Sequence, residues 1–498
     1  MTVDVPVTAI GQLSGAWRQC VGTGRMALAL RSDYRDSLAL AQREIGFEHI
    51  RGHGLLSRAM GIVSESQGSR RYGFTYLDQV IDTYLSLGVR PFLELGFMPH
   101  ALASGDQTFS WWRANVTPPR DYREWSALIR AVVAHLVDRY GVAEVAKWPI
   151  EVWNEPNLSG FWKDADRQAY FHLYEVSART VKDIDATLQV GGPAVAPRAE
   201  GWYEEFVEFV TGADVPCDFF SAHAYSAGLP QPIPFGVYQT LRPPADLLEQ
   251  FGRPAAALAG GPLEGIPVHI TEFNTSYDPT NPIHDTAYQA AYLAPVVAGG
   301  GALASSFSYW TFCDVFEEKG VPASFFHGGF GLLGYRQLRK PAFHLYTFMA
   351  RMGPAILAQG VDHLVTRHGD GRVTILAWQP VGGSDDGPYG SAPDTHRVRF
   401  SIPVPAPEVA YLRRCVNEED GNAWTAWREL GRPMSPSPHV MDLLHEASQP
   451  RVRHGSLPVR DGRVDVDLSL SRHEVTLVEI TPVSPCVHEE LDDARLLG

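Results

Sequence analysis

Strand-like apolar stretches alternate with helical patterns eight times over residues 15–350, and this alternation constrains the fold more than any other feature. The stretches start near residues 17, 47, 90, 150, 188, 219, 268 and 304. Each is followed by a helix or a longer loop, as expected for a parallel sheet covered by helices. Eight such units predict an α/β fold, a (β/α)8 TIM barrel with its active site at the carboxyl ends of the strands.

The sequence changes character after residue 352, where hairpin signals replace helical patterns. Val361–Thr366 and Val373–Gln379 are strand-like and flank the turn sequence Gly369-Asp370-Gly371. Further strand-like stretches follow at Val398–Ile402, Val409–Cys415, Arg463–Leu470 and Glu474–Ile480. We therefore expect a catalytic barrel over residues 15–350. Residues 1–14 and 351–498 should form an appended all-β sandwich domain with a C-terminal tail.

Two of the predicted barrel strands end in a glutamate that lies next to asparagine and aromatic residues. Ile150–Leu158, IEVWNEPNL, carries Glu155, and the proline after it should end the strand because proline has no N–H for the sheet. Val268–Asn274, VHITEFN, carries Glu272. A single glutamate at a strand end usually pairs with arginine or caps a helix. Two of them are what a glycoside hydrolase needs, because one protonates the leaving oxygen while the other attacks or activates water.

The segment from Gly22 to Ala27, GTGRMA, matches the relaxed dinucleotide-binding fingerprint GxGxxA. That fingerprint requires an acidic residue at the end of the second strand, where it binds the ribose. Here the second strand ends in Ile50-Arg51-Gly52-His53, without an acidic residue. A dinucleotide site is therefore disfavoured, and we expect no cofactor.

Composition excludes several functional classes. The net charge is −15, with 42 basic and 57 acidic residues, whereas a nucleic-acid partner requires a basic surface. The number of cysteines is odd and none lies in a CxxC pair, so neither a disulfide framework nor a zinc cluster is indicated. These cysteines are Cys20, Cys217, Cys313, Cys415 and Cys486. The chain has no HExxH motif, and we expect no metal.

The N-terminal sequence MTVDVPVTAIGQLSG has neither a basic region nor a long apolar region, so we do not expect a signal peptide. No apolar run is long enough to predict a membrane span. The expectation is a cytoplasmic protein with reduced thiols and no membrane partner.

Six short motifs follow one another along the chain. They are CVGTGR at Cys20–Arg25, IRGHG at Ile50–Gly54, WNEPN at Trp153–Asn157, SAHAY at Ser221–Tyr225, TEFN at Thr271–Asn274 and YWTF at Tyr309–Phe312. Together they resemble the β-xylosidases of glycoside hydrolase family 39, and the resemblance extends over essentially the whole chain. The Asn-Glu pair alone is typical of the larger barrel clan, whereas the six motifs together are much more specific.

The resemblance implies a retaining enzyme in which Glu155 is the general acid/base and Glu272 is the nucleophile. Retaining sites hold their carboxyl groups about 5–5.5 Å apart, so that the nucleophile can form a glycosyl-enzyme directly. Glu155 must then be protonated near neutral pH, which requires burial or a nearby carboxylate. We expect Glu272 to supply that charge until it is glycosylated.

Further polar residues have roles that the resemblance implies. Asn154 is placed to hydrogen-bond the sugar 2-OH, and His53 resembles the family's histidine in subsite −1. His223 and Tyr225 are expected to orient the nucleophile, although a histidine can equally make a structural hydrogen bond. Glu94 also lies at a strand end, where it is a candidate for a structural ion pair.

Aromatic and acidic residues complete the predicted sugar site. Trp310 is expected to form a stacking floor, because apolar sugar faces favour indole, and its alternative is a place in the barrel core. Glu317 and Glu318 resemble the family's hydroxyl-binding carboxylates, although an acidic pair is otherwise often a solvated surface. Trp111 is a candidate for the pocket wall, and the sequence does not choose between it and Trp112.

The predicted activity is that of an exo-acting β-D-xylosidase, which releases xylose from the non-reducing ends of xylo-oligosaccharides. An α-L-arabinosidase, an endo-acting xylanase and a sugar-binding protein with an inactive site are the alternatives. The family also includes α-L-iduronidases, whose uronate needs a cation. The loop after Glu272, FNTSYDPTNP, contains no Lys or Arg, which disfavours that substrate. The sequence leaves the oligomeric state open.

Overall fold

Eight parallel strands form a closed barrel in the computed structural model, which describes residues 2–66, 69–383 and 393–483. The strands, β1 to β8 in chain order, are Cys20–Arg25, His49–His53, Arg90–Leu95, Ile150–Val152, Val190–Val195, Phe219–Tyr225, Val268–Asn274 and Ser306–Tyr309. Each pairs with the strand before it, and β8 closes the barrel on β1 where Tyr309 lies opposite Val21. The predicted (β/α)8 barrel is confirmed.

One long helix follows each barrel strand. These helices, α1 to α8, are Ser32–Glu44, Thr75–Ser86, Tyr122–Tyr140, Arg167–Ile184, Glu200–Gly212, Pro244–Leu258, Ala287–Gly299 and Pro341–Met349. They pack on the barrel because their apolar residues recur on one face; in α2, Leu77, Val80, Ile81 and Tyr84 are buried. Aspartates cap two of them, since Asp121 and Asp166 accept hydrogen bonds from the first turns of α3 and α4. In the described ranges no helix is both long and apolar enough to cross a membrane.

Shorter elements connect these units. Three hairpins pair Val63–Ser66 with Ser69–Tyr72, Thr108–Phe109 with Ala114–Asn115, and Gln231–Ile233 with Gly236–Tyr238. Short α-helices span Ala16–Gln19, Val142–Val145, Ala423–Glu429 and Pro438–Ala447. Turns of 3₁₀ helix span Met26–Leu30, Arg58–Met60, Lys163–Ala165, Pro282–Asp285, Gly300–Ala302 and Tyr335–Gln337.

The first barrel strand lies later in the chain than its apolar pattern predicts. The predicted start is near residue 17, but Ala16–Gln19 is a helical turn and the strand starts at Cys20. The glycine-rich sequence belongs to the strand, and its glycines leave room for side chains that pack closely against the main chain. A Cβ atom on Gly22 would lie 2.3 Å from the ring of Trp310. Close packing therefore explains the GxG pattern that resembles a dinucleotide fingerprint.

Two sheets outside the barrel enclose a second apolar core, which confirms the predicted sandwich; they are antiparallel except where Thr2–Asp4 pairs in parallel with Thr395–Pro403. The larger sheet consists, in order, of Gly11–Gln12, Ala355–Gln359, His363–Arg367, Val373–Trp378, Val475–Val483, Glu408–Val416 and Arg451–Pro458. The smaller sheet consists of Thr2–Asp4, Thr395–Pro403 and Arg463–Ser471. Val5, Ile375 and Phe400 are among the buried residues that the two sheets share.

Some elements of the sandwich region were not predicted. The strand Arg451–Pro458 has no apolar alternation because it forms an exposed edge. The helices Ala423–Glu429 and Pro438–Ala447 pack against barrel residues such as Phe326, so they belong to neither sheet. The predicted C-terminal tail and Cys486 lie outside the described residues. The domain limits at residues 15 and 350 stay a prediction.

Candidate active site

A cavity of about 540 Å³ opens at the carboxyl ends of the barrel strands. This volume is in the range of small-molecule sites. Most of the residues that the sequence nominates meet there. Its lining includes His53, Asn154, Glu155, Tyr225, Glu272, Trp310 and Glu318.

Glu155 reaches the cavity through an unusual turn of the main chain. β4 ends at Val152, and Trp153 and Glu155 then adopt left-handed backbone conformations with φ of 72° and 46°. Such conformations are uncommon for residues other than glycine and cluster at functional sites. The N–H of Glu155 donates to the carbonyl of Ala194, at 2.8 Å, which fixes the turn to the end of β5.

Glu155 and Glu272 lie close together and are almost fully buried, with exposed fractions of 7% and 4%. A carboxylate oxygen of Glu155, one of Glu272 and a ring nitrogen of His223 all lie within 4.8 Å of one another. This spacing is short compared with the about 6.5–9.5 Å between the carboxyl groups of inverting glycosidases.

Arg51 is the cation around which the buried acids are arranged. Its Nη1 donates to Glu272, at 2.8 Å, and its Nε donates to Glu151, at 2.6 Å. Its Nη2 contacts Glu94, at 3.0 Å, and donates to Oδ1 of Asn154, at 2.9 Å. Burial lowers the pKa of Arg51, but the three carboxylates outweigh burial and raise the pKa above its ordinary value. Arg51 therefore stays charged and fixes the orientation of all four partners.

Two donors hold the carboxylate of Glu272. Arg51 occupies one oxygen, and the Tyr225 hydroxyl donates to the other, at 2.7 Å. Burial and the neighbouring carboxylates of Glu272 and Glu155 raise the pKa of Tyr225 well above its ordinary value, so its proton stays in place. The expected contact between Tyr225 and the nucleophile candidate is present. Glu272 thus has a fixed orientation with its oxygens facing Glu155 and the cavity.

The environment of Glu155 favours its protonated form. Burial raises the pKa of its carboxyl to about 7, against the opposing charges of His53 and Arg51. The carboxylate that contributes to this rise is Glu94, whereas the sequence reasoning assigned that part to Glu272.

His223 contacts the acid candidate, whereas the sequence assigned it to the nucleophile. Its Nδ1 lies 2.8 Å from Oε1 of Glu155 and 3.6 Å from Oε2 of Glu272. Burial lowers the pKa of His223 to about 4, so the ring is neutral. The strand register shifts just before His223, between β6 and β7, which places its ring beside both glutamates.

The hydrogen-bond network also indicates which nitrogen of His223 carries the proton. Within the described part of the chain, its buried Nε2 has no hydrogen-bond partner. A buried N–H without an acceptor is costly, so the proton belongs on Nδ1. His223 then donates to Oε1 of Glu155 and leaves Oε2 to carry the acid proton.

His53 and Trp310 form one wall of the cavity. Nδ1 of His53 lies 2.6 Å from Glu94, and its Nε2 lies 3.6 Å from Glu272. Burial lowers the pKa of His53, but the charge and hydrogen bond of Glu94 outweigh burial, so the pKa is raised overall. The ring of Trp310 lies 4.7 Å from the ring of His53 and 5.8 Å from the Arg51 guanidinium. Glu94 is therefore the ion-pair partner that the sequence suggested.

The whole sequence can be compared with known families. The family model of glycosyl hydrolases family 39 matches residues 1–465 of this chain. The chain belongs to this family. It is therefore a glycoside hydrolase, and the six motifs of its sequence identified the family correctly.

Three relatives of this family 39 enzyme are similar along nearly their full lengths. A beta-xylosidase of Geobacillus stearothermophilus is 46% identical, and the alignment covers 99% of this chain and 98% of the relative. The solved structure of a monomeric beta-xylosidase from Caulobacter crescentus CB15 has a TM-score of 0.89 and 32% identity, and the match covers 97% of this chain and 100% of that one. A beta-xylosidase of Caldicellulosiruptor saccharolyticus is 32% identical over 95% of this chain and 96% of its own.

Glu317 does not line the catalytic cavity of this family 39 enzyme, in contrast to the sequence prediction. One oxygen of its carboxylate accepts from Arg25, at 2.6 Å, and the other accepts from Arg31. Both oxygens are therefore bound by arginines outside the catalytic cavity. Glu318 does line the cavity. Burial and the nearby Glu272 and Glu155 raise the pKa of Glu318 to about 8, although His53 and Lys319 oppose that rise.

Neither candidate tryptophan of the β3–α3 loop lines the cavity. Trp111 is 57% exposed at the tip of a hairpin whose flanking residues Ser110 and Arg113 have φ of 67° and 56°. This turn directs Trp111 outward, while Trp112 packs against Phe97, with ring centroids 6.0 Å apart. The aromatic wall consists instead of two tilted rings in contact, Phe109 and Phe161, with centroids 4.1 Å apart.

The sequence reasoning missed the buried charges beneath the site. Arg51, Glu151 and Thr271 are fully buried, and the Thr271 hydroxyl donates to Glu151, at 2.9 Å. A signal was present, because Arg51 lies two residues before His53 on the same strand. Alternate residues of a strand face the same side, so both side chains point into the barrel.

Glu155, His223 and Glu272 are also the only group of potential metal ligands of this kind within the described ranges. Arg51 and Tyr225 already occupy the oxygens of Glu272, and His223 already donates to Glu155. The expectation of a metal-independent enzyme stays a prediction, tested below with a chelator.

Proposed function

We propose that the chain is a retaining, exo-acting β-D-xylosidase in which Glu155 is the general acid/base and Glu272 is the nucleophile. The observation that carries this proposal is the short spacing of the two carboxylates, with one oxygen of each within 4.8 Å. A water molecule for an inverting reaction needs a wider gap. The β-xylosidases that are similar over their full lengths support xylose as the sugar.

In the first step, Glu272 attacks the anomeric carbon and Glu155 protonates the leaving oxygen. Arg51 and the Tyr225 hydroxyl hold the nucleophile in place, so little reorganisation is needed during the attack. Glu155 starts the step protonated because its pKa is raised to about 7. His223 fixes the acid by donating to its other oxygen.

In the second step, Glu155 takes a proton from the water that attacks the glycosyl-enzyme. The bond between the sugar and Glu272 breaks, and the carboxylate returns to Arg51 and Tyr225. Neutral His223 keeps the same hydrogen bond to Glu155 when the carboxyl has lost its proton, and that charge-assisted bond is the stronger one. The pair therefore accommodates both protonation states without a change of geometry.

The sugar ring is proposed to lie between His53, Trp310, Glu318 and Asn154. Arg51 donates to Oδ1 of Asn154, and this bond orients the amide so that its NH₂ group faces the cavity as a donor to the sugar 2-OH. Trp310 offers an apolar face, and the carboxyl of Glu318 offers a partner for a ring hydroxyl.

An α-L-iduronide is disfavoured, although for a different reason from the one that the sequence suggested. Arg198, Arg242 and Lys319 line the cavity from loops other than the one after Glu272. Lys319 is paired with Asp278, however, and the proposed sugar side of the cavity carries the acid Glu318. Arg242 is paired with Asp246, and Arg198 follows β5 on the proposed leaving-group side, so none of these three cations is placed to bind a uronate on the sugar side.

We also propose that the chain divides near residues 15 and 350 and that the protein is cytoplasmic. The first limit is supported by the N-terminal strand Thr2–Asp4, which joins a sandwich sheet. The second is supported by the change from helix α8, which ends at Met349, to the antiparallel strand Ala355–Gln359. Within the described residues the cysteines form no disulfide, which suits a reducing compartment.

A panel of nitrophenyl glycosides tests the sugar specificity. We expect the β-D-xyloside to have the highest kcat/KM, the α-L-arabinopyranoside to be slower, and the α-L-iduronide to be slower by at least about 100-fold, because its carboxylate lacks a partner. Activity should persist in EDTA. A preference for the arabinoside or the iduronide would contradict the xylosidase proposal, and loss of activity in EDTA that zinc or calcium restores would contradict a metal-independent mechanism.

The pH dependence tests the role of Glu155. Its protonated form is the active one in the first step, so kcat/KM for phenyl β-xyloside should fall above about pH 7, approaching tenfold per pH unit. The same limb should be much weaker for dinitrophenyl β-xyloside, whose leaving group needs no proton. Titration of His53 or Glu318 would affect both substrates alike, so identical limbs for the two would contradict the assignment.

A further inference from the structure

A second cavity, of about 370 Å³, adjoins the catalytic cavity. Pro279, Glu318 and Lys319 line both cavities, so the two share a boundary. Aromatic side chains from the β6–α6 loop, the β8–α8 loop and the helix Ala423–Glu429 dominate the far side of the second cavity. They include Phe235, Phe326, Trp424 and Trp427.

The boundary is formed by the segment Glu317–Gly320, which we call the wall segment. Anchors outside the segment fix its main chain. The carboxylate of its first residue is bound by Arg25 and Arg31, and the carbonyl of Glu318 accepts from the main-chain N–H of Trp111, at 2.9 Å. The salt bridges that keep the first glutamate away from the sugar therefore hold the wall segment in position.

Lys319 closes the gap between the wall segment and the loop after β7. Its ammonium lies 2.8 Å from Oδ1 and 2.6 Å from Oδ2 of Asp278. Asp278 is buried and lines the catalytic cavity, whereas the side chain of Lys319 is half exposed. The Asp278 carboxylate also accepts from the N–H and the hydroxyl of Thr280, so it keeps hydrogen-bond partners when the lysine side chain is removed.

The direction of the substrate follows from the two glutamates. Glu155 protonates the leaving oxygen, so the leaving group lies towards the loops after β4 and β5, where Phe161 and Pro197 line the cavity. His53 and Glu318 lie on the other side, around the terminal sugar. The wall segment and the second cavity are therefore beyond the non-reducing end of a bound xylose.

We propose that Lys319, held by Asp278, makes the enzyme exo-acting by closing the catalytic cavity at the non-reducing end. The second cavity behind it is then a latent position for one further xylose unit, and its aromatic side chains suit the apolar faces of a pentose. This inference rests on the xylosidase function proposed above. It adds a specificity residue and a binding position to that function.

The substitution Lys319→Ala tests the proposal with nitrophenyl β-xylobioside as the probe. The wild-type enzyme should first release xylose, so nitrophenol appears only after a lag. The variant should release nitrophenol and xylobiose together, because the disaccharide can now extend into the second cavity. We expect the initial ratio of xylobiose to xylose to rise at least about tenfold, or about 1.4 kcal/mol in relative barrier height. Product chromatography during the first turnovers gives the ratio.

Two controls separate steric closure from other effects. Lys319→Met also lacks the ion pair but keeps a long side chain in the gap, so it should give far less xylobiose than the alanine variant. Lys147→Ala removes an exposed lysine near the amino-terminal end of β4, far from the cavity, and should match the wild type. A folded Lys319→Ala enzyme that forms no additional xylobiose would overturn the proposal. Failure of the wild type to cleave nitrophenyl xyloside would instead refute the proposed function.

Discussion

Glu272→Ala is expected to lower kcat for every aryl β-xyloside by on the order of 10⁴- to 10⁶-fold, whatever the leaving group. The variant has no carboxylate to form the covalent intermediate, so a better leaving group cannot compensate. Rates on phenyl, nitrophenyl and dinitrophenyl xylosides measure this directly. If azide restores any activity, the product should be the α-xylosyl azide, because azide then attacks from the side that the carboxylate occupied.

Removal of Glu272 also leaves Nη1 of Arg51 and the Tyr225 hydroxyl without this acceptor in a buried site, which costs stability. Glu272→Gln is therefore the matched variant, since its amide oxygen can still accept from one of these donors. Both variants should be inactive, and the glutamine variant should unfold at the higher temperature. A glutamine variant with substantial activity, or an alanine variant that is active on dinitrophenyl xyloside, would contradict the nucleophile assignment.

Glu155→Ala should give a different pattern, with a loss on the order of 10²- to 10⁴-fold for substrates that need acid catalysis. For dinitrophenyl xyloside the first step needs no proton, so glycosylation should remain fast. The second step then limits turnover, because no base activates the water. Stopped-flow measurements should therefore show a burst of dinitrophenol followed by slow turnover.

Azide distinguishes this variant further, because it is an anionic nucleophile and needs no base. It should restore turnover of Glu155→Ala and yield the β-xylosyl azide. His223→Ala is a useful comparison, since it keeps the acid but removes the hydrogen bond to its Oε1. That variant should shift the alkaline limb of the pH profile without an azide product. Equal impairment of Glu155→Ala on phenyl and dinitrophenyl xylosides, without azide rescue, would show that the wrong glutamate is assigned.

The barrel could be predicted from sequence because its signals are local. The strands Arg90–Leu95, Ile150–Val152, Phe219–Tyr225 and Val268–Asn274 start at the predicted residues, because their apolar stretches are clear in the sequence. The edge strand Arg451–Pro458 could not be predicted in the same way. This strand forms because it pairs with the strand Glu408–Val416. Its residues are mostly exposed, so its sequence lacks the apolar alternation that would predict a strand.

The site residues could be predicted where the course of the main chain alone determines where a residue lies. Glu155 and Glu272 follow from strand ends, and all strand ends of a parallel barrel meet at one mouth. The placements of Glu317 and Trp111 depend on tertiary contacts that the sequence does not display. Adjacent glutamates can point in opposite directions, and the first of them is bound by Arg25 and Arg31, which lie almost 300 residues away.

The buried charge network was the largest omission. Arg51 contacts three glutamates that lie on three other strands, and no local sequence pattern predicts such a cluster. A single charged residue in a predicted strand is usually interpreted as exposed to solvent. Alternation with His53 places Arg51 inside the barrel, but only the closed barrel shows that Arg51 meets Glu94, Glu151 and Glu272.

The central claim is that Glu272 forms a covalent bond with the sugar. The wild-type enzyme is incubated with dinitrophenyl 2-deoxy-2-fluoro-β-xyloside. The fluorine slows both steps of the reaction, and the good leaving group keeps the first step faster than the second, so the glycosyl-enzyme should accumulate. Mass spectrometry of the digested protein should find one fluoroxylosyl group on the peptide that contains Glu272. An enzyme that turns over this substrate without labelling, or a label on Glu155, Glu318 or another residue, would contradict the account.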